Sequence, residues 1–225
     1  MSPTISVIMS VYNDSKYLEK SIESILNQTY NDFEFIICND CSSDDSLSII
    51  EKYAMLDKRI VIINNQDNLG LATSLNKCLD IAKGEFIARM DSDDISLPNR
   101  FKEELDFLKT HSEIAVVGCK CNVIDDLGEK RKEFLIHEGE VTLLDAIKKT
   151  QIIHPTVMMR KSALLKVSGY TVDEKHNELK IMIYGVSYLK KVIKFLILIE
   201  FFFFIEKGFL GLKKGSTDIE YKNIN

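Results

Sequence analysis

No glycine-rich phosphate loop is present in this 225-residue chain. The first apolar run, Ile5 to Val11, is followed by YNDSKYLEK without a G-x-G-x-x-G, and no G-x-x-x-x-G-K-[ST] occurs anywhere. The usual dinucleotide fingerprint and the P-loop are thereby excluded. Positive charge is also scarce: 29 Lys and Arg stand against 34 Asp and Glu, a net charge of −5, so the chain has no electrostatic footprint for wrapping nucleic acid and none is expected as a partner. The opening MSPTISVIMSVYND has no basic leader and no small-residue cleavage site, so the first strand is expected within a few residues of Met1 and the main domain in the cytoplasm. Long apolar runs are missing too. The longest, Phe195 to Ile205, is interrupted by Glu200 and falls short of the roughly 20 residues that span a bilayer.

Paired cysteines are lacking in the same sense. Five is an odd number and fits a reducing compartment better than a disulfide framework. Cys38 and Cys41 have C-x-x-C spacing, with Cys119 and Cys121 as an imaginable second half of a zinc site, but no second C-x-x-C and no paired His completes the ligand set. Cys38 reads instead as a small core residue that closes an apolar run.

What is present is an apolar fraction of 45%, ample for a core, arranged as alternating strands and helices. Ile5 to Val11 reads as a strand, with Asn13 and Asp14 as caps. Leu18, Ile22, Ile25 and Leu26 then recur at helical spacing. Phe33 to Cys38 is a second strand, Leu47 to Met55 a helix, and Arg59 to Ile63 a third strand. Leu71 to Ala82 is a helix with Gly84 as its stop, and Phe86 to Met90 is the fourth strand. Short apolar runs separated by helices indicate an α/β, doubly wound, mostly parallel sheet covered on both faces. Ligands of such sheets bind beyond the carboxyl ends of the strands.

At those ends lie polar loops, and the fourth strand stops on Asp91-Ser92-Asp93-Asp94. Carboxylates so crowded disfavour one another's ionisation, and a bound cation resolves the conflict. Mg2+ or Mn2+ fits, because these ions take one or two carboxylates together with phosphate oxygens and water. A calcium loop of the EF-hand type needs Gly at its sixth position and an acid at its twelfth. Counted from Asp91, those positions hold Ser96 and Lys102. A plainer alternative is that Asp94 or Ser96 caps the helix that follows in LPNRFKEELDFL. The second acidic loop, at Asp40 on a neighbouring strand end, weighs towards the cation.

From Ser6 to Tyr170 the chain resembles the inverting family 2 glycosyltransferases of GT-A fold. The resemblance is carried by SVIMSVYND, SIESILNQTYNDFEFIICNDCSSDDS, NLGLATSLNKCLDIAKGEFIARMDSDDISLPNRF and HPTVMMRKSALLKVSGY. It implies a nucleotide-sugar donor, with a lean to a UDP-sugar, a divalent metal, and transfer to a saccharide or lipid-linked acceptor with inversion. Carried over by position, Val11 and Tyr12 flank the nucleoside base, and Asp40 stands where the family has an acid that hydrogen-bonds the base. Asp91 and Asp93 match the D-x-D signature, Asp91 near ribose and metal and Asp93 as metal ligand. The family's D-D-G-S reads here Asn39-Asp40-Cys41-Ser42, with the first acid amidated. Arg89 either faces the site or serves a structural ion pair. His154 either lines the acceptor groove or is a loop histidine satisfied by backbone.

The resemblance thins after Ser168-Gly169-Tyr170. Relatives then present an acidic pair opening a helix, from which the general base comes. The candidates here are Asp173, Glu174 and Glu178, none in that setting. Two readings follow: a glycosyltransferase of cell-surface polysaccharide or glycolipid synthesis, or a catalytically inactive nucleotide-binding module that keeps the same pocket. A nucleotidyltransferase would need a Gly-rich, lysine-bearing loop after the first strand. Residues 1–175 are expected to form the GT-A domain and 176–225 an apolar, basic, helical tail. From Lys175 onward nine lysines stand against five acids, a composition suited to peripheral contact with an anionic membrane.

Overall fold

The computed structural model describes residues 2–126, 128–133, 139–141, 153–170, 172 and 194–206. The first half alternates as the apolar spacing dictates: β1 (Ile5–Val11), α1 (Ser15–Leu26), β2 (Phe33–Asn39), α2 (Ser46–Leu56), β3 (Ile60–Asn64), α3 (Leu71–Ile81) and β4 (Phe86–Arg89). A two-residue β5 (Ile95–Ser96) precedes α4 (Arg100–Thr110) and the long β6 (Ile114–Ile124). Then come β7 (Lys130–Glu133), β8 (Gly139–Val141), a 3-10 turn (His154–Thr156), β9 (Met158–Arg160), α5 (Lys161–Lys166) and β10 (Lys194–Glu206).

These strands form one sheet ordered β3-β2-β1-β4-β9-β6-β10-β5, with β7 on β6 and β8 on β10. The first four are parallel, with Ile5 opposite both Phe33 and Phe86, whereas β9 runs antiparallel between β4 and β6. Chain order reverses at β1, which lies between β2 and β4. That reversal opens a crevice at the carboxyl ends, the place where such sheets bind ligands.

The period of two along β1 separates two cores. Val7, Met9 and Val11 face one side with Leu18, Ile22 and Ile25 of α1 and Phe101, Leu105 and Leu108 of α4. Ile8 faces the other side with Ile36, Leu75, Cys78 and Leu79, joined by Met159 and Tyr170. Each such side chain, fully buried, contributes about 1.5–3 kcal/mol from apolar area alone.

Two sequence expectations change here. Gly84 is not the stop of α3, which ends at Ile81 with Ala82 as its cap. It is small because β1 passes against it: a Cβ at Gly84 would lie 2.5 Å from the Ser6 nitrogen and 2.7 Å from the Ile5 carbonyl carbon. Its N–H donates to Ser6 Oγ, which itself donates to Glu34 Oε1. The tail also differs, since Lys194–Glu206 is a strand, parallel to β6, and not the expected helix. Its KFLILIEFFFFIE lacks helical spacing and is rich in β-branched and aromatic residues, which fit a pleated ladder. Among the described residues no helix is long and apolar enough to cross a membrane.

Candidate nucleotide and metal site

The site is built at the ends of β1, β2 and β4. Val11, fully buried, accepts the Asp40 N–H at 2.8 Å and so fixes the start of the second loop against the first, while Tyr12 is 52% exposed at the rim. Asn13 takes a left-handed backbone, φ 53°, and interlocks with that second loop. Its N–H donates to Ser42 Oγ and its Oδ1 accepts the Ser43 N–H at 2.7 Å. The Asp14 N–H donates to Ser46 Oγ, and Asp44 Oδ2 accepts the Ser15 N–H, so α1 is capped from the neighbouring loop. Asp14 stands at the N-cap position without making a side-chain cap bond. The capping role read from the sequence therefore passes to Asp44, and Asp14 is left beside the acids of β4. Burial pushes its carboxyl up, a hydrogen bond from Ser92 opposes this, and Asp91 and Asp44 add to it.

Asp40 is buried and ties β2 to the approach of α3. Its Oδ1 accepts from Asn65 Nδ2 at 2.8 Å and from the Leu69 N–H at 2.9 Å, and its Oδ2 accepts the Gly70 N–H at 2.8 Å. A carboxylate offers about four acceptor positions, so one remains on Oδ2 for a further N–H donor. Asn65 is in turn held by Ser74 and by Lys77 Nζ at 2.6 Å. Asn39 donates to Asn64 Oδ1 at 2.8 Å and accepts the Ser42 N–H. The residue that replaces the family's first acid is thus a loop staple.

Across the crevice, Asp91, Asp93 and Asp94 each offer an oxygen, all within 4.8 Å of one another. Arg89 is fully buried and ion-paired with Asp91, so the two alternatives for Arg89 coincide: a structural pair whose partner is a site acid. Ser21 Oγ of α1 donates to the Asp91 carbonyl at 2.8 Å and steadies the turn. Burial pushes the Asp93 carboxyl up to about 7, and the charges of Asp91 and Asp14 push the same way. Asp94 is raised well above its usual range, by burial first and then by Asp91 and Asp93, and both its oxygens are enclosed without a hydrogen-bond donor. It caps nothing. The following helix has Asn99 at its N-cap without a side-chain bond, and Ser96 lies in β5. Three carboxylates this close, one of them with both oxygens starved of donors, fit a hard divalent cation.

Beneath the acids, Arg100 Nη2 donates to the Arg89 and Val157 carbonyls at 2.9 and 3.1 Å, and its Nε donates to Glu104. Burial raises the Glu104 carboxyl to about 7 against the pull of Arg100. His154 Nε2 is buried without a partner, its ring meets Tyr170 edge-on at 5.5 Å, and burial lowers its pKa well below the usual value. All five cysteines are free; Cys38 is buried and Cys41 exposed. The three candidate bases, Asp173, Glu174 and Glu178, lie outside the described residues.

A parallel sheet that reverses chain order at β1, with acids grouped at the carboxyl ends of its neighbours, is the architecture of GT-A enzymes. The Staphylococcus aureus protein TarS, solved with UDP, superposes with a TM-score of 0.73 at 26% identity over 92% of this chain and 60% of its own; it has also been solved with UDP-GlcNAc. EpsE of Bacillus subtilis, a glycosyltransferase by name, is 42% identical over 169 residues, 75% of this chain and 60% of its own. The O-antigen biosynthesis glycosyltransferase WbnJ of Escherichia coli is 36% identical over 170 residues, 74% of this chain and 65% of its own. The model of glycosyl transferase family 2 matches residues 6–168, and the chain belongs to that family. It spans about three fifths of the length of EpsE.

Proposed function

We propose that this chain transfers a sugar from a nucleotide-sugar donor, a UDP-sugar, to a saccharide or lipid-linked acceptor with inversion, in the synthesis of cell-surface polysaccharide or glycolipid. The observation that carries this is the pairing of two acid sites across the β1 crevice. Asp40 has one acceptor position left for a base N–H, and Asp91, Asp93 and Asp94 are grouped within 4.8 Å. The names of relatives that act in O-antigen and teichuronic acid synthesis support the acceptor class. TarS in complex with UDP and UDP-GlcNAc supports the donor class.

Val11 and Tyr12 bound the base from β1, and Asp40 reads it. Asp93, with Asp91 beside it, holds Mn2+ or Mg2+, which when bound neutralises charge on the departing diphosphate. Asp173, Glu174 or Glu178 takes the acceptor's proton. Residues 1–175, with the Lys194–Glu206 strand added to their sheet, form the transferase domain, which works at the cytoplasmic face of the membrane with the other lysine-bearing residues of 176–225 in peripheral contact. Calorimetric titration of UDP with and without Mn2+ tests the reading, together with consumption of labelled UDP-sugars. UDP affinity should fall at least about tenfold without Mn2+ and in Asp93→Ala; affinity indifferent to both would refute it.

A further inference from the structure

Asp40 is held by a chain of side chains that begins at a cation. Lys77 Nζ, on α3, donates to Asn65 Oδ1 at 2.6 Å, and Asn65 Nδ2 donates to Asp40 Oδ1 at 2.8 Å and to Ser74 Oγ at 2.9 Å. The Asn65 amide can lie only one way round, because an ammonium group only donates and a carboxylate only accepts. Both hydrogens of Nδ2 are thereby spent, and none is left for a ligand. The geometry comes from α3 and from the end of β3. Ser74 and Lys77 are three residues apart and so share one face of the helix. Asn65 is fixed opposite them by its own N–H, which donates to the Asn39 carbonyl at 2.9 Å. Asp40, Asn65 and Ser74 are all buried, and Asp40 makes no ion pair among the described residues. A buried carboxylate needs charge compensation as well as donors, and Lys77 supplies it at one remove, since hydrogen bonds in series polarise one another.

The relay also decides which oxygen stays open. Oδ1 of Asp40 is filled by Asn65 and by the Leu69 N–H, whereas Oδ2 accepts the Gly70 N–H alone. An amide free to turn would set its oxygen against Oδ1, and the carboxylate would then rotate and open a position on each oxygen. We propose that Asn65 and Lys77 are positioning residues that make Asp40 selective for the base: with the amide locked, one acceptor position on Oδ2 meets a ring N–H, and a base that carries its donor elsewhere is refused. Uracil has a ring N–H between its two carbonyls. Cytosine has a bare ring nitrogen there and its donor on the exocyclic amine. The inference rests on the transferase reading above, and one arm of its test does not.

The experiment compares wild type with Lys77→Met, which removes the cation and keeps the stem, with Lys77→Arg, which restores a donor-only head, and with Asn65→Asp, which sets an acceptor against Asp40. Calorimetric titration with UDP and with CDP, both in the presence of Mn2+, should give wild type a preference for UDP of at least about tenfold. That preference should fall about fivefold or more in Lys77→Met and in Asn65→Asp, and return to within about twofold of wild type in Lys77→Arg. A merely structural pair would weaken both nucleotides alike, or lower the thermal midpoint alone, and a preference left unchanged in this way overturns the proposal. So does a wild type that binds both nucleotides equally. Exchange of the Asn65 side-chain hydrogens with solvent, followed by NMR without nucleotide, should be slow in wild type and at least about tenfold faster in Lys77→Met. Rapid exchange in wild type sinks the relay whatever the binding data. If exchange is slow but wild type binds neither nucleotide, the transferase reading has failed and the selectivity falls with it.

Discussion

Asp40 and Asp93 carry the same functional group into opposite situations. Asp40 receives three protein donors and keeps one acceptor position for a ligand, whereas burial raises Asp93 to about 7 and leaves it in want of a cation. Amidation should separate them. Asp40→Asn turns one acceptor into a donor facing N–H groups, so it should cost about 1–3 kcal/mol of stability as well as UDP affinity. Asp93→Asn removes a charge that the metal-free fold resists. It should leave the metal-free thermal midpoint unchanged or higher while abolishing the effect of Mn2+ on UDP binding; a fall in that midpoint would count against the assignment. The grouping of Asp91, Asp93 and Asp94 was legible in the sequence because three carboxylates in four positions have few inexpensive explanations. Asp14 was not, because an aspartate before a helix reads as a cap, and only the fold reveals that Asp44 of the next loop already does that work.

At the scale of elements, α1 to α3 and the four parallel strands follow from spacing alone, because each buries one stripe or one face and its apolar residues must recur accordingly. What spacing cannot reveal is how closely two backbones pass. Gly84 looks like a helix stop, yet its smallness serves β1, with Ser6 and Ile5 main-chain atoms under 3 Å from where a Cβ would be. Gly84→Ala should therefore destabilise by about 1–3 kcal/mol or more, by forcing the α3–β4 connection off β1. Urea denaturation should record this as a lower midpoint at constant slope. The strand at Lys194–Glu206 escaped for another reason: a lysine-bearing apolar run suits a membrane surface or a sheet alike, and its ladder with β6 cannot be read from spacing. The Arg100–Glu104 pair is a third case, since a charged i,i+4 pair ordinarily reads as solvated surface, but here both members are buried and Arg100 ties α4 to β4 and to Val157. Arg100→Met should cost about 3–5 kcal/mol, the penalty of leaving the buried Glu104 without its partner and of removing a donor from two carbonyls, and less below pH 7, where Glu104 takes up a proton.

Over the whole molecule these enclosed acids make stability depend on pH in an unusual direction. Asp93 and Glu104 both hold protons in the fold up to about pH 7, whereas their ordinary values are 3.8 and 4.5. Between those limits the folded chain binds more protons than the unfolded one, so unfolding free energy falls as pH rises through 7. His154 acts oppositely. Held neutral by burial, it costs stability only below its ordinary 6.5, where the unfolded chain is protonated. The metal-free protein should accordingly gain thermal stability on acidification from about pH 8 towards pH 5, less steeply below 6.5, where His154 opposes the two acids. Mn2+ changes the sign of the Asp93 part, because the ion competes with the proton for the same oxygens and stabilises more as pH rises. Thermal melts at several pH values should thus show opposite slopes between pH 6.5 and 8 with and without Mn2+. In Asp93→Asn the shallower slope left by Glu104 should persist with or without the ion, and equal slopes in the wild-type protein would remove the acid cluster as the place where a cation and the fold meet.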